Sequence, residues 1–360
     1  MNKTYSTVGA AALATLVVLP AQAADWTDRV TVSGFASANY FRTDDPASFN
    51  DQAGQGHDDQ GSFSGTRVGI NIRAKINDKF RFASQLFSVK QEDNYSVHLD
   101  WGFGTLQLSE NVDFSAGKLK FPIGLVNEYV DVGYAYPWLV APQSLYSRLG
   151  APNGPQVTRE AYTGANLLWT IPYEDWTYDV NLFGGEVNLE GTNVRQLGGI
   201  VLKADWDDQL LIKLSSYQGT MRNVDIEDNP AMSAAMEDQK HRVNSFGIKA
   251  DINNYLAIFE ISNVKMGDLS AMKATTWYST FGYQLGEFLP HLTYQQYKQG
   301  DPVEDDQTTV TLGLRWDILK DVAAKFEISQ IKLDSGLGLF AEQPEDDTVT
   351  MLGIGIDTVF

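Results

Sequence analysis

The chain has 360 residues, of which 43% are hydrophobic and 12% aromatic, and its formal net charge at pH 7 is -19. This acidic balance argues against a nucleic-acid partner, because phosphate groups need a basic surface. The chain contains no cysteine, which excludes a fold held together by disulfide bonds.

The first 23 residues have the pattern of an export signal. An apolar stretch over residues 8–19 precedes Ala21-Gln22-Ala23, whose small residues match a cleavage site, so we expect the mature chain to begin at Ala24. A transmembrane anchor is the alternative, but the apolar stretch is too short to cross a bilayer as a helix. Residues 24–360 are predicted to form a single domain.

Polarity alternates with a period of two along the mature chain. From Arg67 to Ile76, the odd positions are charged, polar or glycine, and the even positions are aliphatic or alanine. Successive side chains of a strand point to opposite faces, so such a strand has one face suited to lipid and one suited to water. The same period recurs at 309–316 and from Thr348 to Phe360.

Alternation and turn residues together predict sixteen strands, most of them long enough to cross a bilayer at a tilt. We place them at 29–42, 64–76, 80–90, 95–109, 113–122, 160–171, 176–187, 193–205, 209–219, 241–253, 255–265, 272–285, 286–297, 306–317, 321–333 and 347–360. Short connections alternate with long ones, which is typical of an all-β transmembrane barrel, antiparallel and up-and-down, with short periplasmic turns and long outer loops. A soluble β-sandwich is the alternative, since it could share the period of two.

Aromatic residues cluster near the ends of the predicted strands. They include Tyr40, Phe41, Phe80, Phe82, Trp169, Tyr173, Tyr255, Trp277, Tyr278, Phe288, Trp316 and Phe326. Such rings are stable between lipid headgroups and acyl chains, so we expect them to face outward in two belts. The preference of aromatic residues for strands would also explain their positions.

The export signal, the rhythm of strands and loops and the last strand together resemble the sixteen-stranded porins of Gram-negative outer membranes. In the last strand, Ile354, Ile356 and the terminal Phe360 alternate with other residues, similar to the signal that the barrel-assembly machinery reads in that family. The resemblance implies a passive diffusion channel for small hydrophilic solutes and ions, placed in the outer membrane among lipid and lipopolysaccharide. It also implies a homotrimer.

A narrower resemblance lies in three segments. Gly117–Leu125, Asp131–Tyr134 and Ala141–Tyr146 are similar to the fifth strand and third loop of phosphate-selective-type and related small-solute porins. In those porins the third loop folds into the lumen and narrows the channel, which implies the same for the connection from Ile123 to Arg159. A loop lying on the rim, or in a subunit interface, is the alternative.

Strand parity, with the aliphatic face outward, predicts an inner wall richer in cations than in acids. Candidate pore-lining or constriction residues are Arg67, Arg73, Lys75, Arg81, Lys118, Lys120, Glu128, Asp131, Arg148, Arg159 and Arg315. Other charged residues of inward parity include Lys203, Lys213, Lys249, Lys325, Asp100, Asp179, Asp251, Glu260, Asp317, Glu327 and Asp357.

Fixed charge at a constriction selects ions, because the low-dielectric wall focuses its field. The pattern therefore predicts anion preference, with Lys118, Lys120, Arg148 and Arg159 nearest the constriction. The alternative is that these charges only pair across neighbouring strands.

We expect no enzymatic activity, no cofactor and no metal site. The four histidines are scattered, although His98 and Asp100 share inward parity and leave a barrel hydrolase as an alternative. The acidic outer loops could instead serve a surface receptor or adhesin. They could also hold divalent cations, but none has the spacing of a dedicated site.

Overall fold

A computed structural model gives the structure of the chain. It describes residues 29–50, 61–63, 65–91, 94–147, 161–189, 191–225, 230–267, 273–300 and 304–360. The predicted export signal and two candidate pore residues, Arg148 and Arg159, lie outside the described residues.

Sixteen strands form one antiparallel sheet. Their bounds are Val30–Thr43 (β1), Arg67–Lys75 (β2), Phe80–Gln91 (β3), Asn94–Ser109 (β4), Val112–Lys120 (β5), Ala161–Tyr173 (β6), Trp176–Leu189 (β7), Thr192–Trp206 (β8), Leu210–Arg222 (β9), Lys240–Ile252 (β10), Tyr255–Met266 (β11), Lys273–Tyr283 (β12), Phe288–Gln299 (β13), Asp305–Leu319 (β14), Val322–Ser335 (β15) and Thr348–Val359 (β16). Each strand pairs with its neighbours in the chain, and β1 also pairs with β16, so the sheet closes into a barrel. The predicted sixteen-stranded up-and-down barrel is confirmed.

The two ends of the barrel differ in their connections. At the turn end the hairpins are tight: Asn77 Oδ1 accepts hydrogen bonds from the backbone N–H groups of Lys79 and Phe80 at 2.9 and 2.8 Å, as in an Asx turn. Between β10 and β11, Asn253 and Asn254 both have positive φ, which asparagine tolerates and a two-residue hairpin requires. The longer connections, which include those from β1 to β2 and from β5 to β6, leave the strands at the opposite end, the loop end.

The outer face of the barrel is apolar and the inner face is largely polar. Leu312, Leu352, Ile354 and Ile356 are exposed on the outside, whereas their inward neighbours, such as Thr311, are buried. This arrangement inverts that of a water-soluble protein, and an apolar surface of this extent needs an apolar environment.

Most of the predicted belt aromatics near the turn end are exposed on the outer face, including Phe80, Phe82, Trp169, Tyr173, Tyr255 and Phe288. Two other predicted belt aromatics, Phe41 near the loop end of β1 and Tyr278 in the middle of β12, point inward and are fully buried. The interior of this barrel therefore holds large apolar and aromatic side chains as well as polar ones.

The terminal residue completes the closure of the barrel. Phe360 donates its N–H to the Gly34 carbonyl at 3.0 Å and accepts the Gly34 N–H at 2.7 Å, which extends the pairing of β16 with β1. A Cβ atom on Gly34 would collide with the Phe360 ring, so the glycine makes room for that ring.

Helical structure is sparse among the described residues. It consists of two 3₁₀ turns, Asn127–Tyr129 and Gly133–Ala135, and two short helices, Gln143–Tyr146 (α1) and Pro230–Met236 (α2). In this part of the chain no helix is long and apolar enough to cross a membrane.

Candidate functional site

The chain enters the barrel at the end of β5. Sequence alternation predicts a strand through Pro122, but β5 ends at Lys120, since proline has no N–H to donate to the ladder. Phe121 then packs inside the barrel, with ring centroids 5.2 Å from Tyr162 and 5.3 Å from Tyr217. We call residues 121–147 the inner loop.

Glu260 on β11 joins the two ends of the inner loop. Its Oε1 accepts the Leu125 N–H at 3.1 Å, and its Oε2 accepts the Tyr146 hydroxyl at 2.5 Å. The Ser245 and Tyr278 hydroxyls complete the set at 3.1 and 3.0 Å. Burying a carboxylate is costly unless it is hydrogen-bonded, and the inner loop supplies two of the four hydrogen bonds that stabilise this fully buried group.

Tyr146 itself is buried in α1, and its hydroxyl also accepts the Val126 N–H at 3.0 Å. Burial, together with the neighbouring Glu260 carboxylate, raises the pKa of Tyr146 well above its ordinary value. The phenol therefore stays protonated and keeps donating to Glu260.

Cations of the barrel wall bind backbone carbonyls of the inner loop. Lys325 on β15 donates to the carbonyls of Gly133 and Trp138 at 2.6 and 2.7 Å and pairs with Asp357 on β16 at 2.8 Å. Lys325 and Asp357 are 1% and 0% exposed. The lysine therefore holds the loop against the wall instead of lining an aqueous path.

Arg315 on β14 acts in the same way. It donates to the carbonyls of Tyr134 and Tyr136 at 2.6 and 3.1 Å and pairs with Asp317 at 2.8 Å. These bonds satisfy carbonyls that a non-regular segment inside a barrel would otherwise leave without partners.

Two predicted site residues near β2 and β5 also bind the inner loop. Arg67 donates to the Asp131 carbonyl at 2.7 Å and to the Tyr136 hydroxyl at 2.8 Å. Lys120 lies between the Asp100 and Asp131 carboxylates, at 2.9 and 3.0 Å. Two carboxylates therefore compensate the charge of Lys120, and Arg67 is hydrogen-bonded to neutral groups of the inner loop.

The middle of the inner loop reaches the strands on the far side. Trp138 donates its indole N–H to Thr280 and Thr293 at 3.1 and 2.9 Å. Leu139 donates its backbone N–H to Glu327 at 3.0 Å and accepts from Asn39 on β1 at 3.3 Å. The loop thus crosses the lumen and does not lie on the rim.

Lys118 lies on the face of β5 opposite to the predicted one. It shares that face with Phe114 and Ala116, which are exposed on the outside, and its Nζ donates to the Leu99 carbonyl at 2.9 Å. On β5 the buried apolar residue Leu119 faces inward, against the inner loop. The rule that aliphatic residues face outward therefore fails on this strand, and the expectation that Lys118 faces the lumen is not met.

A cavity of about 570 Å³ lies at the turn end of the lumen. It is lined by Arg29, Thr31, Arg73, Ala74, Lys75, Arg81, Phe82, Ala83, Phe103, Thr105, Asp113, Ser115, Leu119, Glu128, Asn166, Leu168 and Asn181. Three predicted cations, Arg73, Lys75 and Arg81, are exposed there. Glu128 faces them from the inner loop and pairs with Lys213 on β9 at 2.8 Å.

Strand parity placed Glu260 and Lys325 on the inner wall, but it did not identify them as loop contacts. Every residue has a backbone carbonyl, so the sequence does not indicate which carbonyl a cation will bind. Only the path of the inner loop through the barrel shows this.

His98 and Asp100, the pair of the hydrolase alternative, each contact other residues. Asp100 accepts from Gln85 at 2.7 Å and pairs with Lys120, while the His98 ring stands edge-on to Phe87. Among the described residues, no cluster of histidine and acidic side chains could hold a metal ion.

The chain is similar in structure to outer-membrane barrels. OmpF from Salmonella typhi, in complex with Daunomycin, aligns with a TM-score of 0.63 and 14% identity over 92% of this chain and 97% of that one. The outer membrane channel DcaP of Acinetobacter baumannii aligns with a TM-score of 0.58 and 12% identity, over 92% and 97% of the two chains.

Outer-membrane expressed OmpT of Vibrio cholerae gives a TM-score of 0.60 and 11% identity, also over 92% and 97% of the two chains. At these identities the likeness establishes the fold. No protein-family model and no curated protein sequence matches the chain.

Proposed function

We propose that this protein is an outer-membrane porin, a passive diffusion channel for small hydrophilic solutes. The observation that carries the proposal is the inner loop, which is bonded across the lumen of a closed barrel whose outer face is apolar. A loop held in this way narrows the lumen without closing the cavity beside β2 and β3. Passive diffusion through such a channel needs no cofactor and no energy source.

We further propose that the channel prefers anions and that the preference comes from Arg73, Lys75 and Arg81. These cations are exposed in the remaining cavity, whereas Lys120 lies between two carboxylates. Charges in a confined, low-dielectric space attract counter-ions more strongly than charges in bulk water. A phosphate-selective subtype rests only on the resemblance of the segment that begins at Gly117.

The outer face near β4 and β5 supports a homotrimer. A lysine that faces lipid near the bilayer midplane costs roughly 2–4 kcal/mol, and Lys118 lies on this face. Pairing of β4 with β5 begins at Gly102. Val97, 70% exposed, lies on the part of β4 before Gly102. A second copy of the chain would cover these groups.

The remaining partners follow from the same proposal. Export would use the N-terminal 23 residues, and the barrel-assembly machinery would read the strand that ends at Phe360. Outer-membrane lipid and lipopolysaccharide would surround the apolar outer face.

The experiment that tests the channel is conductance in planar bilayers. Purified, folded protein should produce discrete current steps, and liposome swelling rates should fall as the test sugar becomes larger. Heat-unfolded protein is the control. A folded, inserted barrel that passes neither ions nor sugars would contradict the proposal and favour a receptor or adhesin.

A further inference from the structure

We infer that the cavity at the turn end binds amphipathic carboxylates, that is, small organic acids with an apolar body. This inference rests on the proposed channel and names a class of solute for it. A cavity of about 570 Å³ falls within the size range of small-molecule sites, roughly 300–1,000 Å³.

The cationic side of the cavity is built on β2 and β3. Lys75 and Arg81 are directly paired across these strands, and both point inward. Like charges directly opposite one another destabilise a sheet. The arrangement thus has a cost in the empty barrel, and a bound anion would relieve it.

The acids near this cluster only partly compensate it. Arg81 pairs with Asp113, and Lys75 pairs with Asp78 at 2.8 Å in an exposed turn, where ion pairs contribute little. The exposed Lys75 ammonium lowers the pKa of Asp78. Glu128, the other acid that lines the cavity, is already paired with Lys213.

Arg73 is the cation best placed to receive a ligand. It is exposed in the cavity, and no described residue forms an ion pair or hydrogen bond with its side chain. Its guanidinium presents a planar fork of donors that matches the two oxygens of a carboxylate.

The apolar side of the cavity is built on β4, β5 and β6. Phe103, Leu119 and Leu168 line it, although inward positions of a water-filled barrel are ordinarily polar. Phe103 on β4 is two strand spacings from Arg73 on β2 and Leu168 on β6 is four, roughly 10 and 19 Å along the wall. A carboxylate held by Arg73 could therefore place a ring or short alkyl chain against these three residues, and burial of that body would favour binding.

Three probes separate charge from apolar contact. Benzoate carries both features, acetate has the charge without the ring, and benzyl alcohol has the ring without the charge. Each is added to the turn-end side of channels inserted in one orientation, and the block of chloride current is titrated. Benzoate should block at a concentration about tenfold lower than benzyl alcohol, the factor expected for one charge-assisted contact. It should also block at a concentration about tenfold lower than acetate, because part of the ring is buried.

Variants then test the cationic side and the apolar side of the cavity separately. Arg73→Gln should weaken benzoate block about tenfold, and Arg73→Lys should retain part of it. Leu168→Asn should weaken the block by benzoate but not by acetate. The matched control is Lys265→Gln, which removes an exposed cation from the outer face of β11 and should change neither value.

The outcomes distinguish the two proposals. A wild-type barrel with no conductance would contradict the porin proposal itself. A conducting channel that benzoate and acetate block equally, or that Arg73→Gln leaves unchanged towards benzoate, would overturn the amphipathic site and leave the porin proposal intact.

Discussion

Two sectors of the inner wall use the same residue types for different purposes. On β14 and β15, Arg315 and Lys325 donate to carbonyls of the inner loop. On β2 and β3, Arg73 and Arg81 face open space. All four side chains lie on the inner face by strand parity. Parity therefore predicts the face on which a charged side chain lies, but not whether that side chain binds the inner loop or contacts solute.

The difference arises from the path of the inner loop. The loop fills the lumen beside β9–β16, where wall residues such as Thr293 and Asp357 are buried, and it also contacts β1, β2 and β6 away from the turn end. It leaves the cavity beside β1–β7 open. Variants in the buried sector should therefore change stability and loop position, whereas variants in the open sector should change solute and ion selectivity.

Removal of Phe360 should have the largest effect, because it acts on barrel closure and would affect both sectors. The truncated chain loses the terminal pairing with Gly34 and the ring above it, and the outward alternation of Ile354 and Ile356 loses its last member. We expect almost no heat-modifiable barrel in outer-membrane fractions and rapid periplasmic proteolysis. Thr358→Ala, on the same strand and face, is the control. Normal surface levels of the truncated protein would refute this prediction.

The next largest effect should come from breaking the buried pair of Lys325 and Asp357. In Lys325→Met, the aspartate and two loop carbonyls lose their cation, and breaking such a pair typically costs about 3–5 kcal/mol. Denaturant unfolding in detergent measures the loss. The double variant Lys325→Met with Asp357→Asn should be less destabilised than Lys325→Met alone, because it leaves no uncompensated charge. Equal losses in the two would show that the pair is not the source.

Glu260→Ala should free the inner loop while the barrel stays closed. It removes the acceptor shared by Leu125 and Tyr146, and each lost hydrogen bond contributes about 0.5–1.5 kcal/mol. We expect larger and noisier single-channel conductance, with unchanged heat-modifiability. Glu260→Gln keeps an acceptor and should lie between wild type and Glu260→Ala. A conductance equal to wild type in Glu260→Ala would mean that the other contacts suffice to hold the loop.

The sequence predicts the barrel well because polarity alternates with a period of two within each strand, and sixteen segments with this period are consistent with one fold. It predicts β5 less well. Gly117 and the inward residues Leu119 and Phe121 lead into the inner loop, so at the end of this strand the aliphatic side chain faces inward and Lys118 faces outward. Contacts such as Glu260 with Tyr146 join residues far apart in the chain, and no local pattern encodes them.

The smallest expected change in free energy is a change in ion selectivity. It is also the most direct test of the difference between the two sectors. Arg73→Gln with Arg81→Gln should move the reversal potential in a salt gradient toward cations, because both cations face the open cavity. Lys118→Gln should leave it unchanged, since that side chain lies on the outer face. The shift should shrink with salt, as the Debye length falls from about 10 Å at 0.1 M to about 3 Å at 1 M. A shift with Lys118→Gln, and none with the arginine pair, would place the ion path beside β5 and reverse the assignment of the two faces.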